Sequence, residues 1–170
     1  EWSLAVKEAE ATNALADQGC DVVTCHVDGP KVICETAVSR DIFVCGYHAD
    51  QTPVAGDKYL TGAEWNWANV YTDMVAKTLS GEQIPNFVRG GLADGFIKMS
   101  PLGPAVSDAA RAQFEATKAE IEAGGFAAIK GPLKDNKGNV IAAEGESFVE
   151  TDVALESMDY LVEGVIGSTS

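Results

Sequence analysis

Three short apolar runs, CDVVTCHV (20–27), DIFVCGYH (41–48) and KYLTG (58–62), follow one another with room for only one helix or a polar turn between them. They are rich in β-branched residues and lack the strict polar alternation of a sheet with one wet face. Continuous apolar runs of this length suit strands buried on both sides, as in a parallel sheet. Parallel neighbours cannot be joined by a tight hairpin and need a crossover, usually a helix. Helical segments stand where crossovers are required. LAVKEAEATNALADQ (4–18) is rich in Ala, Leu, Glu and Lys and stops at Gly19, a helix with a glycine end. Gly29-Pro30 opens a second helix reaching about Val38, with proline tolerated in its first turn. A polar loop with Asp50, Pro53 and Gly56 leads to the third strand. The order predicts an α/β fold: an open, mostly parallel sheet with helices on both faces.

YLTGAEWNWANVY (59–71) reads as a strand end, Tyr59 to Thr61, followed by a helix. Its apolar residues at Trp67, Val70, Tyr71, Met74, Val75 and Thr78 form one helical stripe, which assigns Trp67 to the core. Trp65 lies about 200° around the helix from Trp67, off that stripe. An indole in the first turn after a strand stands where α/β proteins hold ligands. Covering a neighbouring loop, or plain exposure, is the other use for it.

Beyond Gly81 the pattern changes. NFVRGG (86–91) and DGFIKMS (94–100) read as short strands, with PLGPAV (101–106) as a rigid connection. Residues 107–123 form a helix with Ser107 as N-cap and Gly124-Gly125 at its end. FAAIKGPLKDNKGNVIAA (126–143) reads as a hairpin turning at Asp135–Gly138. The tail opens with a Thr151/Asp152 cap and a short apolar helix.

With 46% hydrophobic and 22% charged residues the 170-residue chain can bury a core of its own, as one domain or as a lobe of something larger. Its net charge of −14 argues against nucleic acid or an anionic membrane surface as partner. No apolar run approaches the ~20 residues of a membrane span. With neither a signal-peptide pattern nor an initiating Met, a processed chain or a piece of a longer one is expected. Cys20, Cys25, Cys34 and Cys45 contain no C-x-x-C, and only His26 and His48 could join them as ligands, so the spacing fits zinc poorly. Free, mostly buried thiols are the expectation. No metal site and no cofactor signature is read.

Ligands of open α/β sheets bind beyond the carboxyl ends of the strands. Those ends carry His26 and Asp28, then His48 and Asp50, then Trp65. Each aspartate alone suits a helix cap or an Asx-turn equally well. Their convergence at one rim favours a binding site. Catalysis is the weaker class: a His48/Asp50 acid–base pair is conceivable, but the sequence lacks a P-loop, G-x-G-x-x-G, G-x-S-x-G and H-E-x-x-H. A Cys25/His26 pair is disfavoured because adjacent strand residues point to opposite faces.

Five segments in order, ALADQGCDVVTCHVDGP, IFVCGYHADQT, YLTGAEWNWANVY, GGLADGFIKMSPLGPAV and ESMDYLVEGVIG, closely resemble the basic membrane protein family of ABC-transporter substrate-binding proteins, relatives of the purine nucleoside receptors. The resemblance covers nearly the whole chain. It implies a two-lobed periplasmic-binding fold of type I, with a purine nucleobase or nucleoside held between the lobes and a transporter permease as partner. It also implies a periplasmic or extracytoplasmic location, often as a tethered lipoprotein. On that reading residues 1–170 are the C-terminal lobe of a solute-binding protein whose N-terminal lobe is missing, with segments from about residue 100 onward able to return toward that lobe. Trp2 stands near the family's stacking aromatic, although Leu4-Ala5 replaces the Asp-Pro that follows it there. Gly46 to Gln51 matches the family's G-x-D-x-D-Q strand end with His48 in place of the first acid. Trp65 takes the place of a ribose-binding lysine after Leu60-Thr61-Gly62. A sugar or signal-molecule receptor of the same fold is the alternative within this class.

Overall fold

The computed structural model describes residues 2–124, 126–149 and 152–169. It divides into two compact units, residues 1–84 with 95–117, and residues 85–94 with 118–170.

In the first unit the chain runs through α1 (Ala5–Asp17), β1 (Val22–Thr24), α2 (Pro30–Ser39), β2 (Phe43–His48), α3 (Thr52–Ala55), β3 (Tyr59–Trp65), α4 (Trp67–Ser80), β4 (Ile97–Met99) and most of α5 (Asp108–Glu122). The sheet order is β1-β2-β3-β4, parallel through the first three strands and antiparallel at β4. The sheet is therefore open and mostly parallel, as the apolar runs require. The chain leaves α1 through Gly19 at φ +87°, a conformation glycine adopts without strain. Pro30 occupies the first turn of α2. Val23, Ile33, Cys34, Ala37, Val44, Ala55 and Tyr59 form the buried core between these elements, and α1 packs on α2. All four cysteines are free.

A polar network crosses the centre of the sheet. Ser100 just after β4 donates its hydroxyl to Glu64 Oε1 at 2.7 Å, so the Tyr59 hydroxyl, 2.9 Å from Ser100 Oγ, must be the donor of that second bond. Lys98 Nζ reaches the other Glu64 oxygen at 3.0 Å. Thr61 donates to the Ser100 carbonyl, and the Ser100 amide to Gly62 O. The Tyr59 ring runs beneath Gly46 and Gly62. A Cβ at Gly62 would lie 2.3 Å from the Tyr59 hydroxyl, and one at Gly46 2.8 Å from the ring. Glycine in these strand interiors marks the close approach.

Several expectations are corrected. Trp65 does not begin a helix; it ends β3, because Ala63, Glu64 and Trp65 pair with Met99, Lys98 and Ile97 and so extend the strand. Trp67 is 52% exposed and not core. Of its stripe only Val70 is buried, while Tyr71 and Val75 face outward, since periodicity defines a face but not what covers it. The polar loop after Asp50 winds into α3 and a 3-10 turn, Gly56–Lys58. Residues 86–91 form no strand; the Gly91 amide bonds the Asp94 carboxylate in a local loop.

The second unit holds β5 (Ala127–Lys130), β6 (Leu133–Lys134), β7 (Val140–Ala142), β8 (Ser147–Val149) and α6 (Val153–Glu156). The hairpin expected over 126–143 is shorter. Only β6 and β7 pair around the Asp135–Gly138 turn, whereas β5 pairs with β8. Pro132 carries no N–H for a ladder, which interrupts the first arm. The Asp135 carboxylate takes the Lys137 and Asn139 amides and the Asn139 side chain, and these bonds hold it below the usual carboxylate range. Ser107 caps α5 through the Ala110 amide, and Asp152 caps α6 through that of Ala154. Thr151 and Gly125 lie outside the described residues.

Removing the shared hydroxyl should expose how much the central network stabilises the sheet. Ser100→Ala leaves the buried Glu64 Oε1 without its donor and takes the acceptor of the Tyr59 hydroxyl, and should cost about 1–3 kcal/mol, read from the urea midpoint. An unchanged midpoint would contradict this account. The thiols give a second expectation. Burial pushes Cys34 up to about 12 and Cys25 up to about 11, so the reactive thiolates are scarce at neutral pH. Alkylation without reductant should give four labels in denaturant but leave Cys34 unlabelled in the folded protein. Fewer than four labels in denaturant would reveal a disulfide.

Candidate functional site

Parallel pairing puts the carboxyl ends of β1, β2 and β3 on one edge, and the candidate residues follow from that alone. The loop after β1 carries His26 and Asp28, β2 ends in Tyr47 and His48, and β3 ends in Trp65. The backbone amide of Asp28 donates to the Trp2 carbonyl at 2.7 Å, which holds the segment before α1 beside this loop.

The side chains form a continuous aromatic arc. The Trp2 and His26 rings are 5.5 Å apart, and His26 meets Tyr47 edge-on at 4.7 Å. Tyr47 lies 4.1 Å from the His48 ring and 5.9 Å from Trp65. Trp65 continues to Trp67 at 5.6 Å, and Trp67 stacks on Tyr71 at 5.8 Å. Apart from the closer Tyr47–His48 pair of neighbouring residues, such centroid separations are those of favourable ring pairs. A polar chain crosses the arc. The Trp65 Nε1–H donates to His48 Nδ1 at 2.6 Å, and His48 Nε2 stands 3.5 Å from Asp28 Oδ1. Burial and the neighbouring Asp28 charge raise the Tyr47 hydroxyl above its ordinary value. The phenol therefore stays protonated, available to donate or accept.

Five of the six residues expected at the site, Trp2, His26, Asp28, His48 and Trp65, are brought together here. Asp50 is engaged elsewhere: its Oδ1 accepts the Thr52 amide at 2.8 Å and the Thr52 hydroxyl at 2.5 Å, at the start of α3. That is the local Asx-turn open to any loop aspartate. Sequence reasoning misses Tyr47, Trp67 and Tyr71 as site residues. For Tyr47 the signal is present, since it sits in the strand end that supplies His48. Trp67 and Tyr71 are hidden by their helical spacing, which reads as core.

The arc offers π-faces, the Asp28 carboxylate beside it, and the phenols of Tyr47 and Tyr71. It holds no nucleophile–base pair among the described residues: Cys25 is pushed up to about 11, chiefly by burial, which keeps its thiol protonated.

No family model matches the chain. A purine-binding protein of Brucella abortus is 32% identical over 164 residues, 96% of this chain and 46% of that protein. A Haloferax volcanii protein named as a candidate ABC-transporter glucose-binding protein is 28% identical over 93% of this chain and 37% of its own length. Over more than nine-tenths of its length the chain is similar to basic-membrane-protein-like substrate-binding proteins of ABC transporters. It spans less than half the length of these two relatives of that family. Solved structures agree on the fold. A Bacillus halodurans protein titled a transcriptional activator of the comK gene superposes with a TM-score of 0.69 at 22% identity, over 74% of this chain and 45% of that one. An ABC-transporter solute-binding protein from Conexibacter woesei gives 0.58 at 21% identity, over 74% and 43%.

The exposed position of Trp67 sets an expectation opposite to that of a core residue. Trp67→Ala should lower stability by about 1 kcal/mol or less, the scale of a surface ring pair. A loss of about 3 kcal/mol or more in a denaturant melt, as for a truncated core tryptophan, would show that the indole is buried in solution.

Proposed function

We propose that the chain is the C-terminal lobe of an extracytoplasmic solute-binding component of an ABC importer, and that its rim holds a purine-type base. The observation that supports this reading is the aromatic arc from Trp2 to Tyr71, joined to Asp28 through His48, at the carboxyl edge of the sheet. A flat heterocycle gains stacking and apolar burial on such faces. Its edge N–H groups find an acceptor in Asp28, whose side chain is 63% exposed. A hydroxyl-rich sugar would lose water there with few donors to replace it. The Brucella relative's name supports a purine. The Haloferax relative's name favours glucose as the second reading. Both relatives are named as binding proteins, which supports binding without turnover and a transporter permease as partner.

The reading also covers organisation. Relatives about twice as long leave room for a second lobe closing over the rim, and closure supplies most of a ligand's burial in such proteins. Segments from about residue 100 onward are proposed to return toward that second lobe; residues 118–170 form a compact unit with residues 85–94.

Calorimetric titration of the full-length protein with adenine, adenosine and glucose tests the proposal. Adenine should bind at least as tightly as adenosine, and glucose not measurably. Trp65→Ala should weaken adenine by about 1–3 kcal/mol, the scale of base–aromatic stacking. The 170-residue chain alone should bind far more weakly than the full-length protein. A clear preference for glucose, or normal adenine binding by Trp65→Ala, would overturn the assignment.

A further inference from the structure

An indole has one hydrogen-bond donor, Nε1–H, and no acceptor. In Trp65 that donor already lies 2.6 Å from His48 Nδ1. Because the indole nitrogen can only donate, Nδ1 must be the bare, accepting nitrogen, and the proton of the neutral ring then sits on Nε2. Nε2 is the atom 3.5 Å from Asp28 Oδ1. The backbone points the same way. His48 has φ +72°, a region non-glycine residues enter at an energetic cost and hold when their surroundings fix them. The Asp28 loop is itself pinned by its amide bond to Trp2.

We propose that His48 is a positioning and specificity-determining residue: it captures the sole donor of Trp65 and fixes the indole plane, while Asp28 holds His48 in the required tautomer. This deepens the reading of the rim as a ligand site and rests on it. The consequence for recognition is specific. With its N–H engaged, Trp65 presents a flat face and no donor to the ligand. The Tyr47 ring stands at 69° to the indole and the Trp67 ring at 31°, both within 6 Å of it. The site thus selects ligands by planarity at Trp65 and leaves hydrogen-bond discrimination to Asp28. A ligand needing a donor at the indole position is not served.

Nitrogen-15 and proton NMR of the full-length protein, first without ligand, tests this. The Trp65 indole resonance, identified by its loss in Trp65→Phe, should be shifted downfield and protected from exchange. His48 Nδ1 should show an unprotonated nitrogen. A protonated Nδ1 in the wild-type protein would overturn the proposal without any variant. In His48→Ala the indole resonance should move to the position of a solvent-bonded indole. His48→Asn should restore part of the shift, since asparagine keeps an acceptor and tolerates positive φ. Asp28→Asn should move the His48 nitrogen signals toward a mixture of tautomers. Adenine affinity should fall about tenfold in His48→Ala and recover partly in His48→Asn. An indole resonance indifferent to His48, or unchanged adenine affinity in His48→Ala, would overturn it. Failure of the wild-type protein to bind adenine would sink the purine reading, while the ligand-free spectra would still decide the role of His48.

Discussion

Parallel alignment of β1, β2 and β3 sends three strand ends to one edge, and the remaining features of the first unit depend on that register. Val44 pairs with Tyr59, and from Cys45 onward the register shifts so that Tyr47 and His48 lie beside Ala63 and Glu64. Trp65 then comes one residue past the partner of His48, close enough for its indole to reach the imidazole. The antiparallel strand β4 keeps β3 extended as far as Trp65. Without that pairing, nothing local would stop the helix of α4 from starting earlier. The network of Tyr59, Ser100 and Glu64 anchors β4 to the sheet from beneath, so a buried polar cluster on one side supports an aromatic rim at the strand ends.

Charge and aromaticity divide the work at the rim. The chain is strongly acidic, and among the described residues the ring contacts from Trp2 to Tyr71 are made by Trp, Tyr and His side chains. On the proposed reading a neutral planar molecule lies against those rings, with Asp28 accepting from its edge. Asp28 Oδ1 stands 3.5 Å from His48 Nε2, and a carboxylate keeps lone pairs for a further donor.

Much of this is legible in the sequence. The three apolar runs and their short connections specify the parallel sheet, and the strand-end rule assembles His26, Asp28, His48 and Trp65 without any coordinates. Gly46 and Gly62 also carry information, because glycine inside a strand signals a close approach, here of the Tyr59 ring. The unreadable part is set by partners distant in the chain. The end of β3 depends on Ile97–Met99, more than thirty residues away, so local pattern alone places the helix too early. The stripe through Trp67 and Tyr71 has the period of a buried face, but whether a neighbour covers it is a tertiary fact. Asp50 differs for the opposite reason: its Oδ1 is taken by purely local bonds to Thr52.

The central claim is that a planar base lies on the face of Trp65 while the indole N–H stays with His48. A crystal structure of the full-length protein grown with adenine tests it most directly. The purine ring is predicted in van der Waals contact with the Trp65 face, with an edge N–H on Asp28 and the Trp65–His48 bond intact. A base bound with the indole N–H donating to it, or bound away from the rim formed by His26, Asp28, Tyr47, His48 and Trp65, would contradict the claim.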